Sequence, residues 1–143
     1  MKGWERTEKL RESGSESKFC FVAMSFAREL DDIYNNGIVP AITDSGYTPK
    51  RVDLEEHNQK ICDCIIKEIR ASKFLVADAT FQRPNVLFEA GFAYGLNRPV
   101  IWTCRQGTRI EDIFDTRQYF HIIWENAEDL KRRLYDRVMA TIL

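Results

Sequence analysis

The feature that most restricts the fold of this chain is an alternation: a short apolar run followed by a longer amphipathic stretch, repeated between Lys18 and Ile142. The runs Phe19–Met24, Lys73–Asp78 and Pro99–Thr103 are almost unbroken apolar text of strand length. Tyr47–Val52 and Tyr119–Trp124 read as two further strands. Between them, Ala27–Ser45 places Leu30, Ile33, Tyr34, Ile38, Ala41 and Ile42 on one helical face, with Pro40 as a kink or restart and Gly46 as the stop. Gln59–Ala71 carries Ile61, Cys64, Ile65 and Ile69 as a stripe, Asn85 can cap a helix reaching Leu96, and Ala127–Ile142 closes the chain with Leu130, Leu134, Val138 and Ile142 in helical register.

Strands that are apolar throughout are buried on both faces, which in this alternation means a parallel sheet covered by helices on either side. Right-handed crossovers leave few topologies. The reading is α/β, a flavodoxin-like (Rossmann-like) five-stranded parallel sheet of order 2-1-3-4-5 with helices on both faces. The chain has 143 residues, room for one domain. The domain is expected over residues 18–143, behind a polar linker or docking segment at residues 1–17 that ends in a Gly/Ser run.

Several function classes are set aside at this stage. A net charge of −1 gives no cationic surface for displacing phosphate counterions, so direct nucleic-acid binding is not expected. No apolar stretch approaches the roughly 20 residues of a membrane span, and Met1–Lys9 lacks a signal-peptide core, so a cytoplasmic location is expected. The four cysteines, Cys20, Cys62, Cys64 and Cys104, are read as free thiols, with Cys62 and Cys64 two apart on a helix and turned away from each other. No cysteine or histidine spacing makes a zinc site, and neither a metal nor a cofactor is expected.

In sheets of this order, ligands bind beyond the carboxyl ends of the strands, at the switch point between the first and third. That selects Met24, Ser25 and Phe26 after the first strand, and Asp78 to Asn85 after the third. The segment Val86–Leu96 is apolar almost all round and so belongs in the interior, yet it contains one charged residue, Glu89. A lone buried carboxylate costs several kcal/mol, so chains avoid the position. Glu89 is placed in the first turn or so of its helix, where the dipole favours ionisation while desolvation opposes it; a carboxylate held by opposing effects at a cleft is a candidate catalytic group. Its bland alternative is a helix-start acid reaching solvent. Asp78, beside Thr80 at the end of the third strand, either caps a turn or holds a ligand.

The blocks Ser72–Thr80, Pro84–Ala93 and Arg98–Ile101, with Phe21–Phe26 and Pro49–Asp53, resemble the nucleoside 2-deoxyribosyltransferase superfamily and its TIR-like relatives. The resemblance covers nearly all of residues 18–142, and its most specific part is the Asn-Val-x-Phe-Glu-x-Gly-x-Ala block. It implies cleavage or transfer at the N-glycosidic bond of a nucleoside or nucleotide, with Glu89 as the nucleophile that forms a glycosyl-enzyme. The site expected from it and from the topology comprises Glu89 and Asp78 as catalytic residues. Met24, Ser25, Phe26, Asp53, Thr80, Asn85, Asp115 and Arg117 are the expected substrate contacts. The ligand would be a nucleoside, nucleotide or NAD, and Asp115 or Arg117 would complete a site across a homo-oligomer. The alternative is a TIR-like nucleotide-binding or signalling module, or an NAD hydrolase, with defence as a family association. Two positions depart from the transferases: the acid that handles the base falls at Ile65, with Asp63 nearest, and the phosphate-binding Ser falls at Arg83.

Overall fold

A computed structural model of the protein describes residues 16–52, 63–108 and 120–142. Five parallel strands form one sheet in the order β2-β1-β3-β4-β5, the topology expected from the sequence. They are β1 (Phe19–Ala23), β2 (Thr48–Lys50), β3 (Phe74–Asp78), β4 (Val100–Arg105) and β5 (His121–Trp124). The helices are α1 (residues 28–44), α2 (Asp63–Arg70), α3 (Pro84–Gly95) and α4 (Ala127–Thr141).

The alternation of side chains along each strand divides the interior into two layers. Cys20, Val22, Phe74, Val76, Ile101, Ile122 and Trp124 face α1 and α4. Phe21, Ala23, Leu75, Ala77, Trp102 and Cys104 face α2 and α3. The central strand β3 is buried at every position, which is why its sequence shows no polar alternation.

Helix α1 is composite. A 3-10 turn (Arg28–Leu30) and one α-turn (Asp31–Ile33) lead into a π-turn over Tyr34–Ile38, and regular α-geometry resumes at Val39–Asp44. Pro40 explains the change, because it has no N–H to give to the carbonyl four residues earlier, and the wider turn absorbs the break. Within that turn Gly37 lies against α4: a Cβ there would sit 3.1 Å from the Ala127 carbonyl oxygen.

Helices α1 and α3 stop in the same way. Gly46 (φ 96°) and Asn97 (φ 59°) take left-handed conformations, and the next residue's N–H bonds back five residues, Tyr47 to Ile42 and Arg98 to Ala93. Asn97 tolerates this conformation better than a β-branched residue would. Asn97→Val is therefore expected to lose about 1–2 kcal/mol in urea unfolding, whereas Asn97→Gly should be neutral or slightly stabilising.

β5 is an edge strand. Ile123 is 42% exposed, and the Arg133 guanidinium, itself near Asp129 at 3.7 Å, donates to its carbonyl oxygen. One expectation about cysteines is corrected: Cys20 and Cys104 are free and buried, but Cys64 is disulfide-bonded, its partner lying outside the described residues. No helix among the described residues is long and apolar enough to cross a membrane.

Candidate functional site

Helix α3 begins two residues earlier than a cap at Asn85 implies. Pro84 takes the first helical position, where its missing N–H costs nothing, and Arg83 is the cap residue, without a side-chain capping bond. Asn85 is therefore inside the helix rather than capping it. Glu89 becomes the sixth helical residue, and the first turn of α3 contains no acid. The stabilisation expected from free N–H groups at the helix start does not reach this carboxylate.

Glu89 is nonetheless interior, 3% exposed, on the same side of α3 as Val86, Ala90 and Ala93. Its carboxyl is pushed up to about 7, chiefly by desolvation, against which a hydrogen bond from the Asn85 side chain acts. Helical side chains lean toward the N-terminus, so Glu89 leans over Asn85, one turn back, toward the carboxyl edge of the sheet from which α3 starts. The helix packs over β3, with further contacts to β1 and β4 and to α2. A carboxyl group with one neutral partner that titrates near neutrality can serve as a nucleophile or as a proton carrier.

Asp78 lies on the other side of the sheet. It shares the face of Phe74 and Val76, toward α1 and α4, whereas Glu89 belongs to the α3 layer. Asp78 is 2% exposed and accepts three hydrogen bonds: Thr80 N–H on Oδ1 at 3.0 Å, and on Oδ2 the Thr103 hydroxyl at 2.7 Å and Trp124 Nε1 at 3.0 Å. The carboxylate thus links the ends of β3, β4 and β5. Three protein donors occupy the oxygens of Asp78, which anchors these strand ends to one another. Thr80 is part of the same knot, its hydroxyl oxygen accepting from the Arg105 N–H at 3.0 Å. Burial, with the Asp78 charge as the lesser cause, pushes the Cys104 thiol up to about 11, so that thiol is not a nucleophile at neutral pH.

The loop after β1 is arranged differently from a simple cap. Ser25 Oγ accepts from the Ala27 N–H at 3.2 Å, closing the turn ahead of α1, whose cap residue is Ala27. Met24 contributes its side chain to the core under α1 and α4. Phe26 is 38% exposed, and the Arg51 guanidinium lies 3.6 Å from its ring centroid and 4.5 Å from that of Tyr34. Arg51 Nη2 also donates to the Ser25 carbonyl at 2.7 Å. Arg51 was not among the residues expected at the site; its signal in the sequence is a cation directly after a short strand at the carboxyl edge. Asp53, Asp115 and Arg117 lie outside the described residues. Among the described residues, no group of three or more His, Cys, Asp or Glu side chains could hold a metal ion.

No family model matches the chain, and no curated protein matches it. Among solved structures, the chain is similar to the CMP N-glycosidase BcmB of Clostridium botulinum, with a TM-score of 0.58. The match covers 82% of this chain and 98% of that one at 12% identity. At that identity the likeness is one of fold, the α/β architecture built on this five-stranded parallel sheet.

Proposed function

We propose that this protein cleaves the N-glycosidic bond of a nucleoside or nucleotide, with Glu89 as nucleophile. The observation that carries the proposal is the burial of one carboxyl group in α3, with a neutral amide as its hydrogen-bond partner and a pKa of about 7. Structural economy would place an apolar residue there. The fold-level likeness to a CMP N-glycosidase supports the same reaction class. In the proposed reaction the Glu89 carboxylate attacks the anomeric carbon as the C–N bond breaks, and the base departs with the bonding electron pair and is protonated. Water then cleaves the glycosyl ester, returning the carboxylate and releasing the free sugar. Asn85, hydrogen-bonded to Glu89, holds the carboxylate in place.

The direct test is release of free base from a panel of nucleosides, nucleoside monophosphates and NAD. A nucleophile must be ionised, so kcat/KM should rise with pH through about 7 and then level off. A profile that instead falls through that range would make Glu89 a proton donor and overturn the assignment.

One observation favours a second reading, a TIR-like nucleotide-binding module with little chemistry. Ile65, at the position of the transferases' second acid, is a fully buried core residue of α2. Stabilisation by nucleotides or NAD in thermal unfolding, with no base released, would select that reading.

A further inference from the structure

The loop after β1 is held by an assembly that the reaction proposed above does not use. Arg51 directly follows β2, and β2 flanks β1 on the side away from β3. Its guanidinium lies between the rings of Phe26, at 3.6 Å, and Tyr34, at 4.5 Å. Such stacking fixes the plane of the guanidinium and with it the direction of its N–H groups. Nη2 holds the Ser25 carbonyl at 2.7 Å, and Ser25 Oγ receives the Ala27 N–H, so the loop is fixed on either side of Phe26. Tyr34 is the first residue of the π-turn that precedes Pro40, so the proline-imposed irregularity of α1 bears on where this ring stands.

These contacts have a geometric consequence. The Ser25–Phe26 peptide is trans, so its N–H points opposite to its carbonyl. The carbonyl is turned to the Arg51 guanidinium, so the Phe26 N–H is turned away from it, on the loop at the carboxyl end of β1 where this topology has its switch point. Among the described residues that N–H has no protein acceptor.

We propose that Arg51 is a positioning residue of the site: clamped between Phe26 and Tyr34, it fixes the Ser25 carbonyl so that the Phe26 amide is presented to an acceptor oxygen of the substrate. This rests on the reading of the site as nucleoside- or nucleotide-directed. The acceptor is a sugar hydroxyl or a phosphoryl oxygen.

The test compares wild type, Arg51→Lys, which keeps the charge but loses the planar fork, and Phe26→Leu, which removes one face of the stack. Two measurements are made: backbone 15N order parameters for Phe26 and Ala27, and kcat and KM for a nucleoside and its 5′-monophosphate. In wild type both amides should be as rigid as the sheet, near 0.85, falling below about 0.6 in Arg51→Lys. KM should rise about tenfold with kcat nearly kept, because the amide binds ground and transition states alike. A rise confined to the monophosphate assigns the acceptor to phosphate, and an equal rise assigns it to the sugar.

Unchanged order parameters and KM in both variants overturn the proposal while leaving the glycosidase reading intact. A fall in kcat at constant KM also overturns it, since that marks a merely structural role. If wild type releases no base from any substrate, the glycosidase reading fails, and the order parameters together with nucleotide affinity by calorimetry decide the role of Arg51 alone.

Discussion

Glu89→Gln should abolish base release, lowering kcat by at least about a thousandfold, and should at the same time make the protein more stable above neutral pH. The two effects have one origin. In the unfolded chain Glu89 ionises near 4.5; in the folded protein it does so at about 7. Below pH 4.5 the group is protonated in both states and burial adds no ionisation cost. Between 4.5 and 7 the unfolded state releases its proton while the folded state holds it, so stability falls with rising pH. Above 7 the cost is constant at about 3 kcal/mol, by the conversion of about 1.4 kcal/mol per pH unit. A glutamine keeps the shape and can still bond Asn85, but it never ionises. Urea unfolding of the two proteins should therefore coincide at pH 4.5 and separate by about 1–3 kcal/mol at pH 8, the variant being the more stable. Coincident curves at both pH values would mean that Glu89 is solvated in the native state, and the catalytic assignment would go with its burial. Stability given up at one carboxyl group is the pattern expected of a residue kept for reactivity.

Asp78→Ala should have the opposite outcome, a loss of roughly 3–5 kcal/mol, or about 10 °C in Tm. The truncation leaves the Trp124 indole N–H, the Thr103 hydroxyl and the Thr80 N–H without their acceptor in an interior that admits little water. Asp78→Asn keeps one oxygen and should lose about half as much. Because Trp124 donates to this carboxylate, its fluorescence offers an independent reading: in Asp78→Ala the indole emission should change before unfolding begins. A loss below 1 kcal/mol would show that water replaces the carboxylate and that β5 is held by its apolar side chains alone.

The two acids looked alike in the sequence, and the reason they differ is partly legible there. The strand order follows from unbroken runs such as Phe74–Asp78, since only a doubly covered parallel strand lacks polar alternation. The same period of two puts Asp78 on the face of Val76, and crossover handedness puts α3 on the other face, so the separation of Asp78 from Glu89 was available in principle. The helix start was ambiguous because Pro84 and Asn85 are adjacent and each is a good start signal at a different position. Choosing Asn85 as cap brings Glu89 toward the first turn, and choosing Pro84 at the first helical position moves it clear of the terminal N–H groups. The bonds of Asp78 to Thr103 and Trp124 span 25 and 46 residues, and no local pattern encodes partners at such a distance. Arg51 was missed for a related reason: its partners Phe26 and Tyr34 come from another element, and the strand before it is only three residues long.

The guanidinium of Arg133 on the Ile123 carbonyl also bears on how copies of this protein meet. An open sheet margin is a template on which another chain can continue the hydrogen-bond ladder. Here an incoming backbone would have to evict a cation already held by Asp129, from a strand of only four residues. Among the described residues, a side chain from α4 thus already occupies one acceptor on this border, and an added strand would have to compete with it.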